Sequence, residues 1–321
     1  PDNRPLYAGN DNGVRVNNNV SNGIVLSNSN QGYFYSTTFK LEYLYKKGLW
    51  GSFAYTHSAA YDLMSPGSTA SGSWINIRSV NGNNNVDLST SNNNTPHRYV
   101  GIVGYKIDYG KKYGGATSIN LGYIGEQASP FSYTYGSDLN GDRINGNDLL
   151  FVPLKGSDIR FNPITQNLGG STLVLYTEAD QQAAFDKYID QDPYLSGRRG
   201  QYVERNSNVL PMLHRLDLSV TQDFYVNVKG KRNSFQFRAD ILNFTNFLNR
   251  DWGVSQRATN PNILSVAQAP SSANNFIPFY TMALQTDNQG KRFLTRDTFQ
   301  SNASVFDVWQ AQFTLRYTYG K

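Results

Sequence analysis

The sequence contains no cysteine, which rules out a disulfide framework and any thiolate metal site and suits a chain exported from the cell. Its three histidines, His57, His97 and His214, lie far apart without the spacing of a metal site, and each reads as a strand-end or loop residue. No apolar run is long enough for a transmembrane helix, and the first residues have no starting methionine, charged n-region or apolar h-region. A Gly-x-Ser-x-Gly elbow is missing too, so with cysteine absent no nucleophile stands out and no enzyme is expected. The formal net charge of +5 is spread along the chain without a basic block. No nucleic-acid partner is read from it.

What the chain does have is aromatic residues and alternation. Tyr 22 and Phe 18 bring the aromatic content to 14%, while the mean hydropathy is −0.53. The clearest pattern lies in residues 210–247: Met212, Leu216, Leu218, Val220, Phe224, Val226 and Val228 alternate with Arg215, Asp217, Ser219, Thr221 and Asp223. A period of two means a strand with one greasy and one wet face. A polar turn at 230–233 follows, and alternation resumes through Phe235, Phe237, Ala239 and Ile241, making a hairpin. Two solvents account for such faces: a second sheet in a soluble sandwich, or lipid outside and water inside a membrane barrel. The rings favour the barrel. In residues 33–45 the apolar face reads Tyr33, Tyr35, Thr37, Phe39, Leu41, Tyr43 and Tyr45, with phenols at both ends, as interfacial belts require. The end of the chain repeats it, from Trp309 through Phe313 and Leu315 to Tyr317 and Tyr319.

The whole chain, 1–321, therefore reads as part of an all-β transmembrane antiparallel β-barrel with long outer loops. Its segments are an outer loop at 1–32, a hairpin at 33–60, an outer loop at 61–97, a hairpin at 98–126, a long outer loop with a short helix at 127–211, a hairpin at 212–247, an outer loop at 248–304 and a last strand at 305–319. Short turns alternate with long loops, as at the two rims of such barrels, whereas compact soluble domains seldom carry loops beyond about fifteen residues. The count of strands is odd, which implies further strands upstream.

Several short motifs carry a resemblance. The run 138–142 leads through Asn147-Asp148 to Val152-Pro153; Arg198-Arg199-Gly200 and Arg205-Asn206 follow, then Leu216-Asp217-Leu218, Gln222-Asp223-Phe224, 240–244 and Trp252-Gly253. In this order and spacing the chain resembles the C-terminal barrel of Oar-like TonB-dependent receptors of Bacteroidetes-type bacteria. The resemblance implies a bacterial outer-membrane location, surrounding lipid, a barrel of about twenty-two strands closed by a plug and energy from the TonB system of the inner membrane. Related importers also suggest a surface lipoprotein partner. The function expected is import of an unidentified ligand; the alternative is a structural or surface-interaction barrel within an envelope complex, without transport.

Within the longest loop, Asp138, Asn140 and Asp142 alternate as oxygen ligands do in a calcium loop, with Ile144 placed to give a carbonyl and Asp148 to close the shell. Arg143 stands where such loops want glycine, and Asp148 comes one residue early. A structural Ca²⁺ and an ordinary Asn/Asp/Gly turn are both open readings. The spacing also predicts a helix over 177–191, with Thr177 as cap, Asp180 at the box position and Phe185, Tyr188 and Ile189 on one face. Arg198, Arg199 and Arg205 are expected to pair with loop acids, the alternative being that they attract an anionic ligand, and Asp217 and Asp240 are expected to pair with Arg215 or Arg238 across the hairpin.

Overall fold

A computed structural model describes residues 2–7, 19, 23–67, 69–109, 114–302 and 304–319. Residues 110–113 of the predicted 98–126 hairpin and residues 1, 8–18 and 20–22 of the first loop lie outside these residues. Seven long strands follow in chain order: β1 (Tyr33–Lys46), β2 (Leu49–Asp62), β3 (His97–Asp108), β4 (Gly114–Gln127), β5 (Met212–Val228), β6 (Lys231–Leu242) and β7 (Gln310–Tyr319). Each pairs antiparallel with the next, β1 to β7 in sequence order, and a short strand at Ser89–Thr90 adds to the end of β2. The sheet is open: β1 and β7 each have one partner.

Turn chemistry fixes two of the hairpins. Lys47 and Gly48 have φ of 50° and 87°, and Lys229 and Gly230 have 52° and 79°. Two consecutive left-handed residues make the tight turn whose twist matches a hairpin. At Gly48 a side chain would also meet the Lys106 carbonyl of β3. The second turn is thus two residues long rather than the predicted 230–233, because the ladder continues through Lys231, Arg232 and Asn233. Two further boundaries differ. Asn243, with φ of 51°, ends β6 and starts a helical turn at Phe244–Leu248, where strand was expected to reach 247. Asp307 accepts from the Ser304 N–H and hydroxyl and from the Ser255 N–H, folding 304–307 into a turn, so β7 begins at Gln310 rather than 305.

The buried core is not in this sheet. Among the described residues, the buried apolar side chains of the long strands are Ala59 and Ala116 alone. The core sits in the long loops, which fold into a cap. Helix α1 (Glu178–Gln191) places Phe185, Tyr188 and Ile189 against Tyr133, Leu150, Phe161, Leu195, Ile263, Leu264 and Tyr280. Its start is as predicted: Thr177 Oγ1 accepts from Asp180 N at 3.2 Å and Asp180 Oδ2 accepts from Thr177 N at 2.8 Å. Three short strands tie the two longest loops together, Leu264–Gln268 antiparallel to Phe279–Met282 and the latter parallel to Arg160–Phe161. Among the described residues no helix is long and apolar enough to cross a membrane, which says nothing of strands.

Candidate functional site

Register decides which side chains share a face, because a slip of one residue would move every apolar group to the other side. One row crosses all seven strands: Tyr43, Gly51, Val103, Leu121, Leu218, Ile241 and Ala311. The next holds Leu49, Tyr105, Ile119, Val220, Ala239 and Phe313. This face has no protein over it, Phe39 being 58%, Phe313 69% and Leu315 75% exposed. Fully burying such a side chain is worth about 1.5–3 kcal/mol, so an uncovered apolar sheet of this extent needs another medium against it.

Both ends of the face are aromatic. Toward the turns stand Tyr43, Tyr45, Tyr105, Tyr317 and Tyr319; toward the loops stand Tyr35, Tyr55, Tyr61, Tyr99 and Tyr123. All three histidines join the loop-side belt. His57 and His97 are register partners with ring centroids 5.1 Å apart, the Tyr55 hydroxyl lies 2.8 Å from His97 Nδ1, and the Tyr123 hydroxyl lies 2.7 Å from His214 Nδ1. Sequence reading had scattered these residues. Only the register brings two of them side by side, and the signal available was their shared parity with the tyrosines.

The opposite face is polar. It carries Ser52, Thr56, Arg98, Glu126, Asn120, Arg215, Asp217, Thr221, Asp223, Gln236 and Arg238. Arg98 pairs with Glu126 across β3 and β4 at 3.5 Å. The expected cross-hairpin pairing of Asp217 and Asp240 is replaced: Asp240 bonds Arg238 along the same strand at 2.8 Å, and Asp217 Oδ1 accepts from Asn243 N at 2.7 Å. Two residues apart on one strand means the same face, so the nearer arginine wins.

No protein-family model, curated protein or solved structure matches the chain. Its chemistry is therefore read from its own residues.

The cap stands at the loop-side end, and its polar groups are closely satisfied. Buried Asp192, which ends α1, accepts from the Tyr133 and Thr298 hydroxyls and from Tyr194 N and Leu195 N. Burial pushes the nearby Tyr188 phenol up to about 12. Arg198 pairs with Glu204 at 2.7 Å, Arg199 with Asp186 and Asp190 at 2.9 and 2.7 Å, and Arg205 with Asp62 at 2.7 Å, all acids as expected. Sequence reading missed Arg4, which no periodicity marks. It reaches from the first residues into the cap, bonds Asp148 Oδ1 at 3.1 Å and the Leu149 carbonyl at 2.7 Å, and lies over the Tyr135 ring.

The predicted calcium loop is ordered by its own backbone. Asp138 accepts from Gly141 N and Arg143 N, Asn140 from Asp142 N, and Asp142 from Ile144 N. Asp148 is turned to Arg4 and to Leu139 N and Asn140 N, and burial lifts its carboxyl above the usual range against the pull of Arg4. Among the described residues no group of three or more His, Cys, Asp or Glu gathers to hold a metal. One buried oxygen, Asn147 Oδ1, has no hydrogen-bond partner, while Asn147 Nδ2 bonds Asp142 Oδ2 at 2.7 Å. Asp138, Asn140, Asp142, Ile144 and Asp148 thus lie in a hydrogen-bonded turn in which one oxygen of the closing acid accepts from the loop backbone and the other from Arg4.

Proposed function

We propose that the chain is part of the wall of an outer-membrane β-barrel whose seven long strands cross the bilayer, with the apolar face toward lipid and the polar face toward the lumen. The observation that carries this reading is the single apolar face kept in register across β1 to β7, uncovered by protein and bounded by aromatic belts at both ends. The strands suit the span: β5 has 17 residues and β1, β2 and β4 have 14 each, where about nine to eleven tilted residues suffice for the hydrocarbon core. The open edges of β1 and β7 are where remaining strands would close the wall, since an unpaired edge in lipid leaves backbone groups unsatisfied.

Within that barrel the cap is the ligand-facing element. It is a folded body with its own buried core, held at the mouth by Arg205 on Asp62 of β2 and by Asn243 at the end of β6. The resemblance to Oar-like TonB-dependent receptors supports import as its role: the cap captures a solute, and a plug driven by TonB admits it to the lumen. The gene upstream of Pro1 tests this. A plug domain with a TonB box is expected there; strands alone, with no plug, would overturn transport and leave a structural or surface-interaction barrel.

A further inference from the structure

The helical turn Ala70–Ile75 and the segment that follows β2 enclose a cavity of about 250 Å³, lined by Ser65, Ser73, Asn76, Arg78, Asn92 and Arg205 among others. No carboxylate lines it. Arg205 is nearly buried and neutralised by Asp62, which also accepts from the Ser65 hydroxyl at 2.8 Å. Arg78 has no such partner. It is half-buried, and no described residue gives it an ion pair or hydrogen bond. Asp87 and Glu204 line the adjoining cavity of about 540 Å³, but Asp87 is exposed and Glu204 is bound to Arg198.

A guanidinium withdrawn from water beside a second one is an unfavourable arrangement unless something completes it, since buried charges in folded proteins are paired. Burial, and then the charge of Arg205, depress the basicity of Arg78 below its ordinary value. Two guanidiniums against one carboxylate leave an excess of one positive charge, and hydroxyl and amide groups surround it. The planar fork of arginine matches the oxygens of a carboxylate or phosphate.

We propose that this cavity is an oxyanion-binding site of the cap, in which Arg78 and Arg205 together receive the carboxylate or phosphate group of a small solute. Its walls are residues of the loops beyond the end of β2, with Arg205 reaching in from the longest loop, and Asp62 touches the site only through Arg205 and Ser65. That the solute arrives from outside the cell rests on the barrel reading; the site itself does not. Arg78 is the ligand-binding group, and Arg205 has the second task of fixing the cap to β2.

Thermal unfolding and calorimetric titration of the full chain in detergent test the proposal, with inorganic phosphate, acetate and, as control, chloride at equal ionic strength. Phosphate or acetate is expected to bind saturably and raise the unfolding temperature, and whichever does so names the group. Arg78→Gln is expected to weaken that binding by about tenfold or more, with Arg78→Lys in between. Without added oxyanion Arg78→Gln is expected to be at least as stable as the parent, because a repulsion has been removed. Binding of neither anion, equal binding by Arg78→Gln, or a loss of stability in Arg78→Gln without anion would each overturn it. None of these outcomes bears on whether the strands cross lipid, which labelling of the sheet measures separately.

Discussion

Arg4 shows what a single residue does for the cap. Its guanidinium is held by Asp2, Asp148 and the Leu149 carbonyl and packed on Tyr135 and Tyr202. Removing it strands Asp148, which is fully buried, and breaking one side of such a pair costs about 3–5 kcal/mol. Arg4→Ala is therefore expected to lower cap stability by that amount in denaturant titration. Asp148→Asn should cost less, because Arg4 keeps Asp2. The same loop sets a metal test. With the carboxylates of Asp138 and Asp148 already accepting backbone N–H groups, chelator is expected to leave protease cleavage within 138–148 unchanged; cleavage that appears only with chelator would restore the calcium clamp. Alternating Asp and Asn residues announce a turn in the sequence, but the partner of Asp148, Arg4, lies more than a hundred residues away and no local pattern points to it.

At the scale of elements, helix and strands were legible to different degrees. α1 was readable end to end because its cap, box and apolar stripe are local signals. Strand ends were less so: nothing in the alternation foretold that Asn243 would turn left-handed or that Asp307 would fold 304–307 back. Phe185 is fully buried, so Phe185→Ala should destabilise the cap by about 3–5 kcal/mol while the strand circular dichroism of the sheet persists. The start of α1 is also pH-dependent. Arg160 holds Glu178 below the usual carboxylate range, and the Thr177 hydroxyl and N–H do the same for Asp180. Stabilisation from a depressed acid is present above the unfolded value of about 4 and is lost as pH falls through the folded value. Hydrogen exchange of the first turn of α1 should thus quicken, relative to its last turn, below about pH 4; protection unchanged down to strong acid would contradict the assignment.

The whole molecule joins two bodies with opposite architecture. The cap buries its apolar groups as a soluble domain does, and the sheet displays them. Period-two patterning revealed the strands and their two faces, because alternation is local, and short turns force the pairing within each hairpin, whereas the pairings across the long loops come from the structure. It could not reveal the cap core, assembled from residues as distant as Tyr133, Ile189 and Tyr280 in loops that look merely polar, nor the histidine belt, which exists only once β2 pairs with β3. Import, lipid contact and the oxyanion site each presuppose something different, and lipid contact is the most basic for the barrel. Adjacent residues of β5 test it directly. Val220 lies on the apolar face and Ser219 on the polar one. In membranes of cells that make the protein, the barrel proposal expects Val220→Cys to react with a lipid-soluble maleimide and resist an aqueous one, and Ser219→Cys to do the reverse. Aqueous reagent reaching Val220→Cys while lipid-soluble reagent finds Ser219→Cys, or water reaching both alike, would contradict the account.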